Sequence, residues 1–330
     1  MNRHMLEALP VKEYDFFTFS SQQDNNVKDV LTGLTAPQKR IDPKFFYNTY
    51  GSVLYEKITQ TEDYYLTSSE NEILRNHALA IAAIAPRSAT VIEPGAGSCR
   101  KIEYLLGALR PDVYMPIDVS GSGLESACAR LAAKYVWLDC VGVVGDFNHI
   151  DTIAELLPNR RRVVFFPGST LGNMEPAAAI QFLSRLRKII GFEGSILIGV
   201  DNVKDEGILN RAYNDSDGIT AEFNKNILSS LNEAVGTNFD PDNFEHKAFF
   251  NRSRSRIEMH LVSKYHQVVT LEDKPIFIER GESIHTENSY KYTESAFRAL
   301  AEKADLRCTH LWKDQRGYFT LYHLVSHSIM

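Results

Sequence analysis

Cysteine is scarce in this chain: 330 residues contain 4, at Cys99, Cys128, Cys140 and Cys308, with no Cys-x-x-Cys pair. That spacing offers neither a zinc cage nor a disulfide framework and suits a reducing cytoplasm. A long apolar run is missing as well. The longest, residues 78–85, is far short of the ~20 apolar residues that cross a bilayer and reads as a buried helix. Excess positive charge is also absent. The formal charge of -6 excludes a general attraction to nucleic acid or an anionic membrane. The basic clusters Arg160-Arg161-Arg162 and Arg252-Ser253-Arg254-Ser255-Arg256 are short and read as solvated loop charge. Residues 1–17 mix Arg3, Glu7, Lys12, Glu13 and Asp15 into their apolar positions, so no export signal is expected there. The spacing of His260, His266, His285, His310, His323 and His327 gives no ligand set, and no metal is expected.

What is present is an ordinary globular composition, 44% hydrophobic and 24% charged, enough for one large core or two modest ones. The most informative stretch is Thr90-Val91-Ile92-Glu93-Pro94-Gly95-Ala96-Gly97-Ser98. It reads as a buried strand that ends in an acidic residue and breaks into a glycine turn before a helix. Gly95 and Gly97 let the backbone approach a ligand that a Cβ would exclude. Here too an absence is informative. A dinucleotide fingerprint, Gly-x-Gly-x-x-Gly, needs a third glycine for close helix packing, and that position is Arg100. The turn is therefore expected to hold a ligand without a pyrophosphate, with S-adenosylmethionine (SAM) the leading candidate.

Two further strand ends strengthen the case. Tyr114-Met115-Pro116-Ile117-Asp118 ends in a carboxylate suited to both ribose hydroxyls. The segment Val141-Gly142-Val143-Val144-Gly145 ends at Asp146-Phe147, a carboxylate and a ring suited to adenine. Either aspartate alone could equally start a turn or cap a helix. Three strand-terminal acids in succession favour a ligand.

Between residues 69 and 203, strands are expected at 90–93, 114–118, 141–145, 162–166 and 195–200, and helices at 69–85, 99–109, 123–135 and 176–190. Such alternation means an α/β fold with a doubly wound parallel sheet, whose ligands sit beyond the carboxyl ends of the strands. After residue 203 the pattern changes. Helices are expected at 208–213 and 219–231, two strands at 256–269 and 275–279 around a Glu272-Asp273-Lys274 hairpin turn, and a helix at 293–304. A strand pair near 310–312 and 318–325 then completes the sheet. The economical division is a Rossmann-like SAM-binding domain, 69–203 with 292–330, and a discontinuous α+β substrate-binding domain, 1–68 with 204–291.

Several separated segments say more. They include Phe46-Tyr47, Asp63-Tyr64-Tyr65-Leu66-Thr67, the glycine turn followed by Arg100-Lys101, and Gly168-Ser169-Thr170-Leu171-Gly172-Asn173. Further on come Gly199-Val200-Asp201, Ala212-Tyr213-Asn214, Arg256-Ile257-Glu258-Met259 and Ile284-His285-Thr286-Glu287-Asn288-Ser289-Tyr290-Lys291-Tyr292. On these, residues 42–324 resemble the SAM-dependent histidine Nα-methyltransferases that make hercynine, the ergothioneine precursor. The chain departs from that family's commoner residues at Pro94, Ala96 and Leu66.

The resemblance implies a class I methyltransferase fold and a set of roles. Asn173 and Tyr213 would hold the α-amino and α-carboxylate groups of L-histidine as the catalytic pair, Glu287 and Ser289 the imidazole, and Tyr47, Tyr64 and Met259 would line the pocket. Cofactor contacts are expected from Glu93, Gly95, Gly97, Lys101, Asp118, Asp146 and Phe147. A carboxylate and a hydroxyl two residues apart on an extended segment share one face, which lets Glu287 and Ser289 bind both ring nitrogens. The expected partner is a small molecule, with no nucleic acid or membrane, and the expected state is a cytoplasmic monomer. Alternatives are an Nα-methyltransferase of tryptophan or tyrosine, a nicotinamide-dependent oxidoreductase, which Arg100 disfavours, and a SAM-binding protein without turnover.

Overall fold

The computed structural model describes residues 14–18, 26–86, 88–155 and 161–327. Its first part runs β1 (Asp15–Thr18), α1 (Asn26–Leu34), α2 (Thr49–Ile58), α3 (Tyr65–Ile84), β2 (Thr90–Pro94), α4 (Glu103–Leu109), β3 (Val113–Asp118), α5 (Gly121–Lys134), β4 (Asp139–Val144), α6 (Ile150–Glu155), β5 (Arg162–Phe166), α7 (Pro176–Ile190) and β6 (Ser195–Asp201). The second part runs α8 (Glu206–Ala212), α9 (Ile219–Val235), β7 (Phe244–Asn251), β8 (Arg256–Ser263), β9 (Gln267–Leu271), β10 (Lys274–Ile278), β11 (Ser283–Tyr290), α10 (Glu294–Glu302), β12 (Leu306–Lys313) and β13 (Phe319–Ser326).

The large sheet has the order β1-β4-β3-β2-β5-β6-β13-β12, parallel from β1 to β6, with β13 antiparallel to both its neighbours. Side chains alternate across its two faces, as strand geometry requires. Val91, Tyr114, Phe165 and Leu197 pack on one face, and Ile92, Met115, Val164 and Ile196 on the other. Both faces are apolar because helices cover both. On one of them α7 presents a stripe of Ala179, Phe182, Leu183, Leu186 and Ile190. The chain leaves β2 toward β3 and β4 in one direction and resumes at β5 and β6 in the other. The topological switch point thus lies between β2 and β5, where ligands bind in open sheets of this kind.

A second core lies beside the first. The antiparallel sheet β11-β8-β7 and the hairpin of β9 with β10 pack with α1, α2 and α9 around Leu54, Phe223, Ile227, Leu261 and Ile284. The two units are sewn together at the end of β6: Tyr292 donates its N–H to Asp201 O at 3.0 Å, and Val203 donates to Tyr292 O at 3.1 Å. That seam fixes the last residues of β11 over the carboxyl edge of the large sheet.

Several expectations need correction. β1 joins the large sheet through β4, so residues 1–68 are not all part of the smaller unit. The helix expected at 99–109 begins only at Glu103, after turns that follow the glycines. The strand expected at 256–269 ends at Ser263; the hairpin proper is β9 with β10, turning through Glu272 and Asp273 at positive φ. The apolar run at 78–85 is not fully buried, since Leu79 is 82% exposed on the outer side of α3. Arg256 is not solvated loop charge: it is buried and bonded to Glu258, Glu175 and Tyr290. The reading of residues 1–17 falls mostly outside the described residues, as does Arg160.

Candidate active site

The glycine turn follows β2 directly. Gly95 and Gly97 have φ of +68° and +53°, the left-handed region that glycine enters without steric cost. The turn is held by backbone bonds from Gly95 and Ala96 to Ile117 O. Asp118, at the end of β3, accepts from Gly97 N and Ser120 N, each at 2.8 Å, one on each carboxylate oxygen. A carboxylate offers about four acceptor positions, so two remain for a diol. Burial raises the Asp118 carboxyl above its ordinary range, against the pull of those backbone donors.

The other cofactor-side residues divide. Phe147 packs edge-on against Phe166 and Phe182, and a Cβ on Gly95 would lie 3.7 Å from its ring. Asp146 caps the short turn after β4 through Asn148 N at 2.8 Å, with a second oxygen left over. Lys101 bonds Glu70 at 2.6 Å, and its ammonium would lie 3.3 Å from a Cβ on Gly168. Burial works against that ammonium, yet Glu70 keeps it above its ordinary value. Glu93 departs from the expectation. It lies within β2, fully buried, accepts from Tyr114 Oη at 2.6 Å, and burial pushes its carboxyl up to about 8.

Tyr47, Tyr64, Asn173, Tyr213, Met259, Glu287 and Ser289 line one cavity. Asn173 closes a short 3₁₀ turn after β5, and a Cβ on Gly172 would come 3.0 Å from Tyr290 O and 3.2 Å from Tyr290 N. Glycine there lets the turn lie flat against β11. Asn173 Nδ2 consequently reaches Glu287 Oε1 at 2.9 Å. On β11, Glu287 stands opposite Met259 and Ser289 opposite Ile257, so the two-residue period brings carboxylate and hydroxyl to the same wall. Burial pushes Glu287 up to about 7, against Lys291 and Asn173. Tyr213 follows α8, donates to Ser289 Oγ at 2.7 Å, and packs edge-on to Tyr64. Burial holds its phenol protonated, well away from the range of a neutral-pH base. Burial, then Glu287, Tyr55 and Asp118, drive the Tyr47 hydroxyl well above its ordinary value.

Sequence reasoning missed several residues here. Tyr55, Thr220 and Phe223 also line the cavity, and the buried Thr220 Oγ1 has no partner among the described residues. Glu70 is fully buried in α3 and accepts from Gly168 N and from Lys101, which ties the acceptor loop to the cofactor turn. Behind the cavity Asp201 binds Lys204, Lys291 at 2.6 Å and Tyr65 at 2.7 Å. Burial would raise Asp201, but the two ammonium groups hold it below the ordinary carboxylate range, while burial lowers Lys204 to about 8. For Asp201 the signal is a charge at the end of an apolar stretch, Gly199-Val200-Asp201, which alone names no partner. Histidine spacing also hid one gathering: Glu258, His260 and His285 come within 4.8 Å of one another. The carboxylate of Glu258 is already taken by Arg256, Asn251 and His260.

The family described as histidine-specific, SAM-dependent methyltransferases matches residues 26–326. The chain belongs to that family. A histidine N-alpha-methyltransferase of Mycolicibacterium smegmatis is 40% identical over 301 residues, covering 89% of this chain and 92% of that protein. One from Mycobacterium tuberculosis is 37% identical over 300 residues, with the same coverage of 89% and 92%. Ergothioneine biosynthesis protein 1 of Neurospora crassa is 29% identical, matching 87% of this chain and 34% of that longer protein.

This methyltransferase is therefore an enzyme with a class I Rossmann-like sheet, and its cofactor is SAM. The residues present fit that cofactor: an open glycine turn, a carboxylate with two spare acceptor positions, and a ring over the turn. When bound, SAM supplies an electrophilic methyl group on a sulfonium. The protein's own part is positioning and the exclusion of water, which are worth several kcal/mol when two reactants are held in line. Asp118, Gly95 and Gly97 are the groups available to orient the cofactor, with Lys101 and Gly168 at the junction. No helix among the described residues is long and apolar enough to cross a membrane.

Proposed function

We propose that the protein methylates the α-amino group of L-histidine three times, with SAM as donor, to give hercynine in ergothioneine biosynthesis. The observation that carries this reading is a carboxylate and a hydroxyl, Glu287 and Ser289, in one cavity with Asn173 and Tyr213. Glu287 accepts the ring N–H, Ser289 bonds the other ring nitrogen, and Asn173 with Tyr213 steadies the α-amino and α-carboxylate groups. The free amine attacks in line, and the proton it loses beforehand goes to water. As methyl groups accumulate, the faces of Tyr47 and Tyr64 attract the growing cation. Relatives named histidine N-alpha-methyltransferase support the choice of amino acid.

In the same reading residues 69–203 and 292–330 bind the cofactor, and residues 26–68 with 204–291 bind the amino acid. The working unit in this reading is a monomer. A cytoplasmic site of action fits four free cysteines. Calorimetry in the presence of S-adenosylhomocysteine tests the acceptor. Histidine should bind, and phenylalanine should bind more weakly by about 1 to 3 kcal/mol for each polar group left unpaired. Tighter binding of tryptophan or tyrosine than of histidine would replace the assignment.

A further inference from the structure

Lys291 is fully buried and stands behind Ser289, outside the cavity lining. Its ammonium donates to Asp201 Oδ2 at 2.6 Å, to Ser289 Oγ at 2.7 Å and to Tyr213 Oη at 3.0 Å. An ammonium has three N–H groups and no lone pair, so its whole capacity is committed. Ser289 Oγ receives a second donor, the Tyr213 hydroxyl at 2.7 Å. The direction of that bond is chemically sound, because a phenol is a stronger acid than an alcohol. A serine hydroxyl has two lone pairs and one proton. Both lone pairs are occupied, and its proton is left for the cavity.

We propose that Lys291 is a specificity-determining positioning residue: it aims the Ser289 proton into the acceptor pocket, so that the pocket takes a ring with one N–H and one bare nitrogen, a neutral imidazole. The inference rests on the proposed placement of the ring between Glu287 and Ser289. Glu287 accepts the N–H, and Ser289 donates to the bare nitrogen. An imidazolium would turn a second N–H toward an oxygen whose lone pairs are spent. The ammonium of Lys291, bonded to that same oxygen, opposes it too. The titratable groups around Ser289 are Tyr65 at the start of α3, Asp201 at the end of β6, Lys204 beyond it, Tyr213 after α8, and Glu287 and Lys291 on β11 and its continuation. Behind Ser289 the ammonium groups of Lys204 and Lys291 share the carboxylate of Asp201, while Glu287 faces the ring from the other side. Asp201 holds Lys291 above its ordinary value although burial works against it.

The test compares histidine with pyrrolylalanine, which keeps a ring N–H and has carbon in place of the bare nitrogen. The kcat/KM ratio of the two is measured for the wild type, Lys291→Met, Ser289→Ala and the double variant. The wild type should prefer histidine, Lys291→Met should cut that preference about tenfold, and adding it to Ser289→Ala should change nothing further. An equal loss on both substrates in Lys291→Met, with the ratio kept, would make Lys291 a structural residue and overturn the proposal. If Ser289→Ala itself keeps the ratio, the ring is placed wrongly and the underlying reading fails with it. SAM affinity monitors folding, and a second measurement needs no variant. Ring-¹⁵N histidine bound to the wild type with S-adenosylhomocysteine at pH 7 should show one protonated and one bare nitrogen, although free imidazole is partly protonated there. Two protonated ring nitrogens in the complex would refute the proposal even if Lys291→Met does not fold.

Discussion

The cofactor half of the cleft is made by neighbours in sequence, residues 93–98 with the ends of the next two strands, and its working parts are largely backbone. The acceptor half gathers side chains as far apart as Tyr47 and Ser289, delivered by a 3₁₀ turn, helix ends and two strands of a separate sheet. One half is thus a property of local chain geometry. The other exists only when two hydrophobic cores have formed and the seam between β6 and Tyr292 has closed. A buried ionic network stands at that seam on the acceptor side, whereas the cofactor turn is held by backbone bonds and the single carboxylate of Asp118.

The contrast can be broken first at Asp201. Removing it in Asp201→Ala leaves Lys204 and Lys291 buried against each other, which should cost about 3 to 5 kcal/mol of stability. Urea unfolding would read this as a large fall in midpoint, and an unchanged midpoint would show that the network does not hold the seam. Next is Glu287→Ala, which should raise KM for histidine by about 10- to 100-fold, the loss of a bond to a charged group, and leave KM for SAM nearly unchanged. Equal changes in both would mean that the two halves are not separate. The pH profile sharpens this point. With Glu287 raised to about 7, its carboxyl is protonated below that pH and ionised above it. The kcat/KM for histidine should fall as pH drops through 7, and Glu287→Gln should keep only the part of that fall that belongs to protonation of histidine's own ring, near about 6.5.

On the cofactor side, Asp118→Ala should weaken SAM binding about tenfold with little change for histidine, as read by calorimetry with each ligand. A stronger effect on histidine would reverse the assignment. The smallest effect is expected at Arg100, whose 73% exposed side chain reaches Glu56 only at 3.8 Å. Arg100→Ala should shift stability by less than about 1 kcal/mol and SAM affinity by about twofold or less. A larger loss would mean that the turn residues after the glycines contribute more to the cofactor than their exposure indicates.

The same contrast explains what could be read from the chain alone. The β2 turn and Asp118 were legible because strand, glycines and acid are consecutive or nearly so, and local sterics determine their shape. Glu287 and Ser289 could be paired because strand side chains alternate, and the register is continuous from Glu287 to Tyr290, after the shift that follows His285. Other features had no local signature. Strand β7 was hidden because its burial is mostly partial and its sequence, Phe244-Glu245-His246-Lys247, carries little apolar alternation. Arg256 looked like one more charge in a basic cluster until β8 brought it against Glu258 and Glu175. Glu70, Asp201, Lys204 and Lys291 required the fold itself, since each finds its partner on another element or beyond a strand end.

The central claim is an amino group of histidine meeting a methyl donor across this cleft. It is tested most directly by incubating the protein with SAM and an equimolar mixture of amino acids and reading the products by mass spectrometry. Histidine alone should gain three methyl groups, with S-adenosylhomocysteine formed in proportion. Methylation of a different amino acid, or no methylated product from a protein that binds SAM, would contradict the account.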